Sequence, residues 1–106
     1  MAYEHILYDV EDRILTITLN RPERLNACPP AMADEIFAAL RDLGDARAVL
    51  MKGEGRAFCS GADLAANAEM SVSGGDRAFA SLSQHYNPMV QALATAPVPV
   101  VSVVQG

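Results

Sequence analysis

Two short runs of β character, Ile14–Leu19 and Ala48–Met51, flank a proline-opened stretch with helical spacing. That order constrains the chain most. Strand, helix, strand reads as a parallel pair with a right-handed crossover, since a twisted strand feeding a right-handed helix packs back onto the sheet one way. The helical stretch opens at Pro29-Pro30, where proline is tolerated because first-turn N–H groups have no intrahelical partner. Asp34 and Glu35 suit the positive end of the helix dipole. Met32, Ile36, Leu40 and Leu43 share one face, Phe37 widens it, and Gly44 is the expected stop.

Ahead of this unit, Tyr3–Asp9 reads as a strand and Val10-Glu11-Asp12-Arg13 as a polar turn, giving an antiparallel hairpin with Ile14–Leu19. Asn20-Arg21-Pro22-Glu23 ends that second strand, since proline cannot continue a central one. Beyond the unit, a helix is expected from about Asp76 to Ala94, with Phe79, Leu82, Tyr86, Met89, Val90 and Leu93 at helical spacing. Pro88 should kink it near Tyr86–Pro88. Pro97 and Pro99 then break the chain, and Val100–Val104 reads as a strand buried on both faces. The fold class is α/β in one domain.

Gln105-Gly106 follow that strand directly. The carboxyl ends of parallel strands are where α/β proteins place ligand loops. A truncated or partly represented protein is therefore expected over a small natural α/β domain.

Thirteen acidic against eight basic residues leave a net charge of −5, which disfavours a nucleic-acid partner. No run is long enough to span a membrane, and Met1–His5 lacks the features of a signal peptide, so a soluble cytoplasmic protein is expected. Cys28 and Cys59 are far apart, with no histidine at metal-ligand spacing; both read as packing thiols and no metal site is expected. Arg21, Arg24, Lys52 and Arg56 are half of the basic residues and lie in or beside two loops. They read either as solvated loop charge or as a local attraction for an anionic ligand.

The loop Gly53-Glu54-Gly55-Arg56-Ala57-Phe58-Cys59-Ser60-Gly61-Ala62-Asp63-Leu64 concentrates the chemical interest. Its glycines let a ligand approach the backbone. Phe58 can anchor the loop while Gly61 turns it, and Asp63 can cap a short helix by accepting backbone N–H bonds. The Ala62 N–H would then sit near a helix N-terminus, facing an anion. The loop lacks the Gly-Lys-Ser/Thr of a phosphate-binding P-loop. It also lacks the Gly-x-Ser-x-Gly elbow, so Ser60 is not supported as a nucleophile.

Leu19-Asn20-Arg21-Pro22-Glu23-Arg24-Leu25-Asn26-Ala27 resembles the Asn-Arg-Pro segment of the enoyl-CoA hydratase/isomerase (crotonase) superfamily. Gly53–Leu64 resembles that superfamily's first oxyanion-hole loop. Asn87-Pro88, Pro97-x-Pro99-Val100 and Gln105-Gly106 are similar to its next stretch, in order and with compatible spacing. The resemblance implies that residues 1–106 are the N-terminal portion of a crotonase-like acyl-CoA domain, a spiral of strand–strand–helix units. It implies an Ala62 backbone N–H as one donor of an oxyanion hole for a thioester carbonyl. Arg24, Leu25 and Ala27 would lie along coenzyme A, with the Arg24 charge near its phosphates. Ala62, Asp63 and Leu64 would border the pantetheine and acyl tail, with Asp63 acting as a structural cap. The Phe79–Leu93 stripe reads as core in preference to the alternative, contact with the acyl pocket.

On the same resemblance, the substrate is an acyl-CoA thioester of fatty-acid or aromatic-acid degradation. No cofactor is implied beyond the coenzyme A of that substrate, and the complete protein is a homotrimer or dimer of trimers. The superfamily's second oxyanion-hole glycine, its catalytic carboxylates and its C-terminal helical region would lie beyond Gly106, so the piece alone should be inactive. Tyr86-Asn87-Pro88 is similar to a run in isomerases of phenylacetyl-CoA degradation. The alternative to an enoyl-CoA hydratase or isomerase is a non-catalytic remnant that binds CoA or a partner chain. An unrelated small α/β binding domain stands behind both.

Overall fold

The computed structural model describes residues 3–61, 63 and 82–106. Its four strands are β1 (Ile6–Glu11), β2 (Ile14–Leu19), β3 (Ala48–Gly53) and β4 (Val100–Ser102), forming one sheet in that order. β1 and β2 pair antiparallel, with Leu7 opposite Thr18 and Glu11 opposite Ile14. Asp12 and Arg13 make the turn at φ 53 and 64. Two successive left-handed residues match the right-handed twist of a tight hairpin. The first strand thus starts three residues later and ends two residues later than the expected Tyr3–Asp9, and the turn is shorter than the polar run Val10–Arg13 implies.

β2 and β3 pair parallel across helix α1 (Pro30–Leu40), in register Ile14 to Ala48 through Leu19 to Gly53. The strand–helix–strand unit is therefore present. Leu15, Ile17 and Leu19 of β2 are buried with Val49 and Met51 of β3. They share one cluster with Met32, Ala33, Ile36, Ala39 and Leu40 of α1. The period-2 pattern of the strands and the helical stripe meet at this core.

Pro29 caps α1 and Pro30 is its first residue. The helix stops at Leu40, four residues before Gly44, with Arg41 as C-cap. The Arg41 guanidinium carbon lies 5.5 Å from the Phe37 ring centre. The two acidic residues of α1 serve tertiary contacts rather than the helix dipole. Glu35 accepts the N–H groups of Glu4 and His5 at 3.2 and 2.9 Å, tying the start of β1 to α1. Asp34 pairs with His85 at 2.8 Å.

His85 belongs to a π-helical turn, Leu82–Tyr86, that leads into α2 (Asn87–Ala94) with Pro88 in its first turn. The disruption expected near Tyr86–Pro88 takes this form: the wider turn precedes the proline, which lies in the first turn of the α-helical segment. The first part of the expected helix, residues 76–81 with Phe79, lies outside the described residues. β3 and β4 pair parallel, Val49 to Val100 and Met51 to Ser102.

Among the described residues, β4 departs from the expectation of a strand buried on both faces. It has three residues, and Val101, Val103 and Val104 are 57%, 49% and 73% exposed. Among the described residues no strand pairs with its outer edge. No described helix is long and apolar enough to cross a membrane.

Candidate active site

The site forms where the chain leaves β2 and β3 at the same end of the parallel pair. After β2, Pro22–Arg24 make one turn of 3-10 helix, and Leu25 and Asn26 follow at φ 52 and 56. Successive left-handed residues fold this segment back, so that the Asn26 and Ala27 N–H groups bond to the carbonyls of Arg21 and Arg24. After β3, the chain loops through Phe58, which packs against the core, and turns at Gly61 with φ 113. Phe58 and Gly61 thus anchor and turn the loop as their residue types imply.

Cys28 joins the two segments. Its N–H donates to Gly61 O at 2.7 Å, and its carbonyl accepts the Asp63 N–H at 2.9 Å and the Tyr86 hydroxyl at 2.7 Å. A second link is ionic: Arg21 Nη1 lies 2.9 Å from Asp63 Oδ2, with both side chains largely buried. The same Nη1 donates to Ala27 O. Arg21 is therefore committed inside the protein and is not a free loop charge, whereas Arg24, Lys52 and Arg56 are exposed. The Asp63 carboxylate serves as the acceptor for Arg21. The helix it was expected to cap falls outside the described residues.

Against this junction opens a cavity of about 630 Å³, lined mainly by apolar side chains. Leu19, Cys28, Phe58, Cys59, Tyr86 and Met89 are among its walls. Burial pushes the Cys28 thiol up to about 12, so it stays protonated and packs as a small apolar group. Cys59 does not fit the packing assignment: it is exposed at the cavity, with its sulfur 3.4 Å from the Gly61 nitrogen. Its position on the turning loop, between Phe58 and Gly61, keeps it out of the core.

The structure brings Asp63 to the turn that carries Leu25 and Ala27, and leaves the Arg24 side chain in solvent beside them. Ala62 and Leu64 lie outside the described residues, although both chain neighbours of Ala62 are bonded to Cys28. The residue reading missed Arg21, Asn26, Cys28 and Tyr86 as the groups that hold the site together. A charged residue directly before Pro22, close to an asparagine in a turn, was the available signal for the first two.

The enoyl-CoA hydratase/isomerase family profile matches residues 9–106. A Rhodobacter capsulatus protein named "Probable enoyl-CoA hydratase" is 42% identical over the whole chain. The Escherichia coli 1,2-epoxyphenylacetyl-CoA isomerase is 38% identical over 97% of it. A crystal structure of an enoyl-CoA hydratase/isomerase from Xanthobacter autotrophicus superposes with a TM-score of 0.88, at 36% identity over 99% of the chain. The chain spans about 40% of the length of each of these three proteins. With residues 9–106 of its 106 matched by the profile, the chain belongs to the enoyl-CoA hydratase/isomerase family.

Proposed function

We propose that this chain supplies the coenzyme A-binding turn and one oxyanion donor of an enoyl-CoA hydratase or isomerase acting on acyl-CoA thioesters. The observation that carries this reading is the pinning of Gly61 and Asp63 to Cys28 at the mouth of an apolar cavity. Hydration and double-bond shift both pass through an enolate-like thioester anion, whose charge collects on the carbonyl oxygen. A backbone N–H held rigidly where that charge develops stabilises the transition state without reorganising. Ala62 is assigned this donor, because both its chain neighbours are fixed by one residue.

The exposed Arg24 lies beside Leu25 and Ala27, suited to the phosphates of coenzyme A while the apolar cavity takes the acyl chain. Asp63 and Leu64 border the pantetheine. Coenzyme A enters only as part of the substrate, and no separate cofactor is assigned. The described residues lining the cavity include no carboxylate or imidazole. Proton transfers therefore fall to groups outside that set. The reading includes a cytoplasmic setting, fatty-acid or aromatic-acid degradation, and a homotrimer or dimer of trimers.

The test uses the full-length protein and a conjugated enoyl-CoA, following loss or shift of the double bond. Ala62→Gly should keep much of the activity. Ala62→Pro removes the donor and should lower kcat on the order of 10²–10³-fold, with the affinity for coenzyme A little changed. Near-normal turnover by a folded Ala62→Pro variant refutes the donor assignment. Coenzyme A binding without turnover in the wild type would favour the non-catalytic reading.

A further inference from the structure

Beyond β3, the loop Gly53–Phe58 relies on side chains for most of its carbonyl partners. Two carboxamides take four of its carbonyls. Asn26 Nδ2 donates to Glu54 O at 3.0 Å and to Ala57 O at 2.9 Å. Gln105 Nε2 donates to Gly53 O at 2.8 Å and to Gly55 O at 3.2 Å. A carboxamide nitrogen carries two protons, so both groups spend their full donor capacity on this loop.

Each clamp is itself held. Asn26 is completely buried, and its Oδ1 accepts the Arg21 N–H at 2.6 Å. Its left-handed backbone is one that asparagine tolerates better than most residues. The Gln105 carbonyl accepts the Phe58 N–H at 3.1 Å. The chain beyond it runs so close to the loop that a Cβ at Gly106 would stand 2.8 Å from Arg56 O. The loop is therefore wedged between the turn after β2 and the segment after β4. Asn26 and Gln105 hold alternate carbonyls from the two sides.

We propose that Asn26 and Gln105 are paired positioning residues that set where Gly61 and Asp63, the chain neighbours of Ala62, stand. Neither carboxamide contacts the reacting atoms. This rests on the function proposed above, in which the Ala62 N–H faces the thioester oxygen. The loop is clamped at its base by the two amides and at its far end by Cys28, with Cys59 and Ser60 between. Release of either carboxamide lets the base shift. Hydrogen bonds to a developing charge tolerate displacements well below 1 Å.

Gln105→Met keeps length and bulk and removes both donors. Asn26→Asp keeps an oxygen for the Arg21 N–H and turns a second oxygen towards two carbonyls. In the full-length protein, Gln105→Met should lower kcat about 10–100-fold on an enoyl-CoA, with KM within about threefold of wild type. Amide exchange should quicken at least about tenfold at Phe58 and Asp63 while Ile17 and Val49 keep their protection. A lower melting temperature with unchanged kcat overturns the proposal, as does exchange rising equally in loop and core. If the wild type turned over no enoyl-CoA, the proposed reaction would fall and the exchange pattern alone would decide the clamp. If Asn26→Asp fails to fold, Gln105→Met still decides it.

Discussion

β2 and β4 are apolar strands of the same sheet, yet they sit in opposite environments. Leu15 and Ile17 of β2 are fully buried, while Val101 of β4 is 57% exposed. β2 has β1 on one side, β3 on the other and the α1 side chains in its cluster. β4 has β3 alone among the described strands. An apolar run decides that a segment becomes a strand; its neighbours decide how much of it leaves water.

The sharpest test of this contrast is a matched pair of truncations. Ile17→Ala should cost about 2–5 kcal/mol in urea unfolding, through lost burial and the cavity left behind. Val101→Ala should stay within about 0.5 kcal/mol. Comparable losses for the two would break the comparison and mean that a further surface covers β4 in solution.

Between these extremes stands the Arg21–Asp63 pair, with side chains 16% and 12% exposed. Arg21→Met should destabilise by about 1–3 kcal/mol, between the limits for surface and buried pairs. A double-mutant cycle with Asp63→Asn isolates the pair's own share. A coupling near zero would place this junction with the solvent-exposed edge rather than with the core.

The two cysteines restate the contrast at one cavity. Burial, which disfavours the thiolate, pushes the folded Cys28 thiol from its ordinary 9.0 up to about 12. Between pH 9 and 12 the unfolded chain loses this proton and the folded one keeps it, so stability falls as pH rises through that window. Burial, with carboxylate charge nearby, also raises the Tyr3 and Tyr8 pKa values, adding slope of the same sign above pH 10. Cys28→Ala should therefore flatten only part of the decline in a pH series of melting curves. Iodoacetamide should modify the exposed Cys59 in the native protein and reach Cys28 only on unfolding. Equal native rates would put both thiols at the surface.

The smallest effect is expected at Val104, which is 73% exposed. Val104→Lys should leave stability within about 0.5 kcal/mol and reduce self-association measured by sedimentation. An unchanged association state would mean that this apolar edge drives no contact between copies.

Much of the fold was legible along the chain. A run rich in Ile, Leu and Thr placed β2 to its last residue, Pro29-Pro30 placed the start of α1, and the strand–helix–strand order implied the parallel pair. The ends were less legible. α1 stops at Leu40 rather than running to Gly44: Arg41 closes the last turn and Leu43 packs outside the helix. For the site, the loop and the turn could be named from their residues. What binds them to each other could not, because Arg21 and Asp63 are 42 residues apart.

The amino-acid sequence by itself determined which segments become strand or helix and which family's motifs the chain carries, since propensity, proline placement and short motifs act over a few neighbouring residues. Only the tertiary structure decided that Arg21 turns inward, that Cys28 joins two loops, that Asn26 and Gln105 share one loop's carbonyls, and that β4 is uncovered among the described residues. Burial and hydrogen-bond partnership depend on groups that meet only when distant parts of the chain pack together, and a one-dimensional pattern carries no record of that meeting.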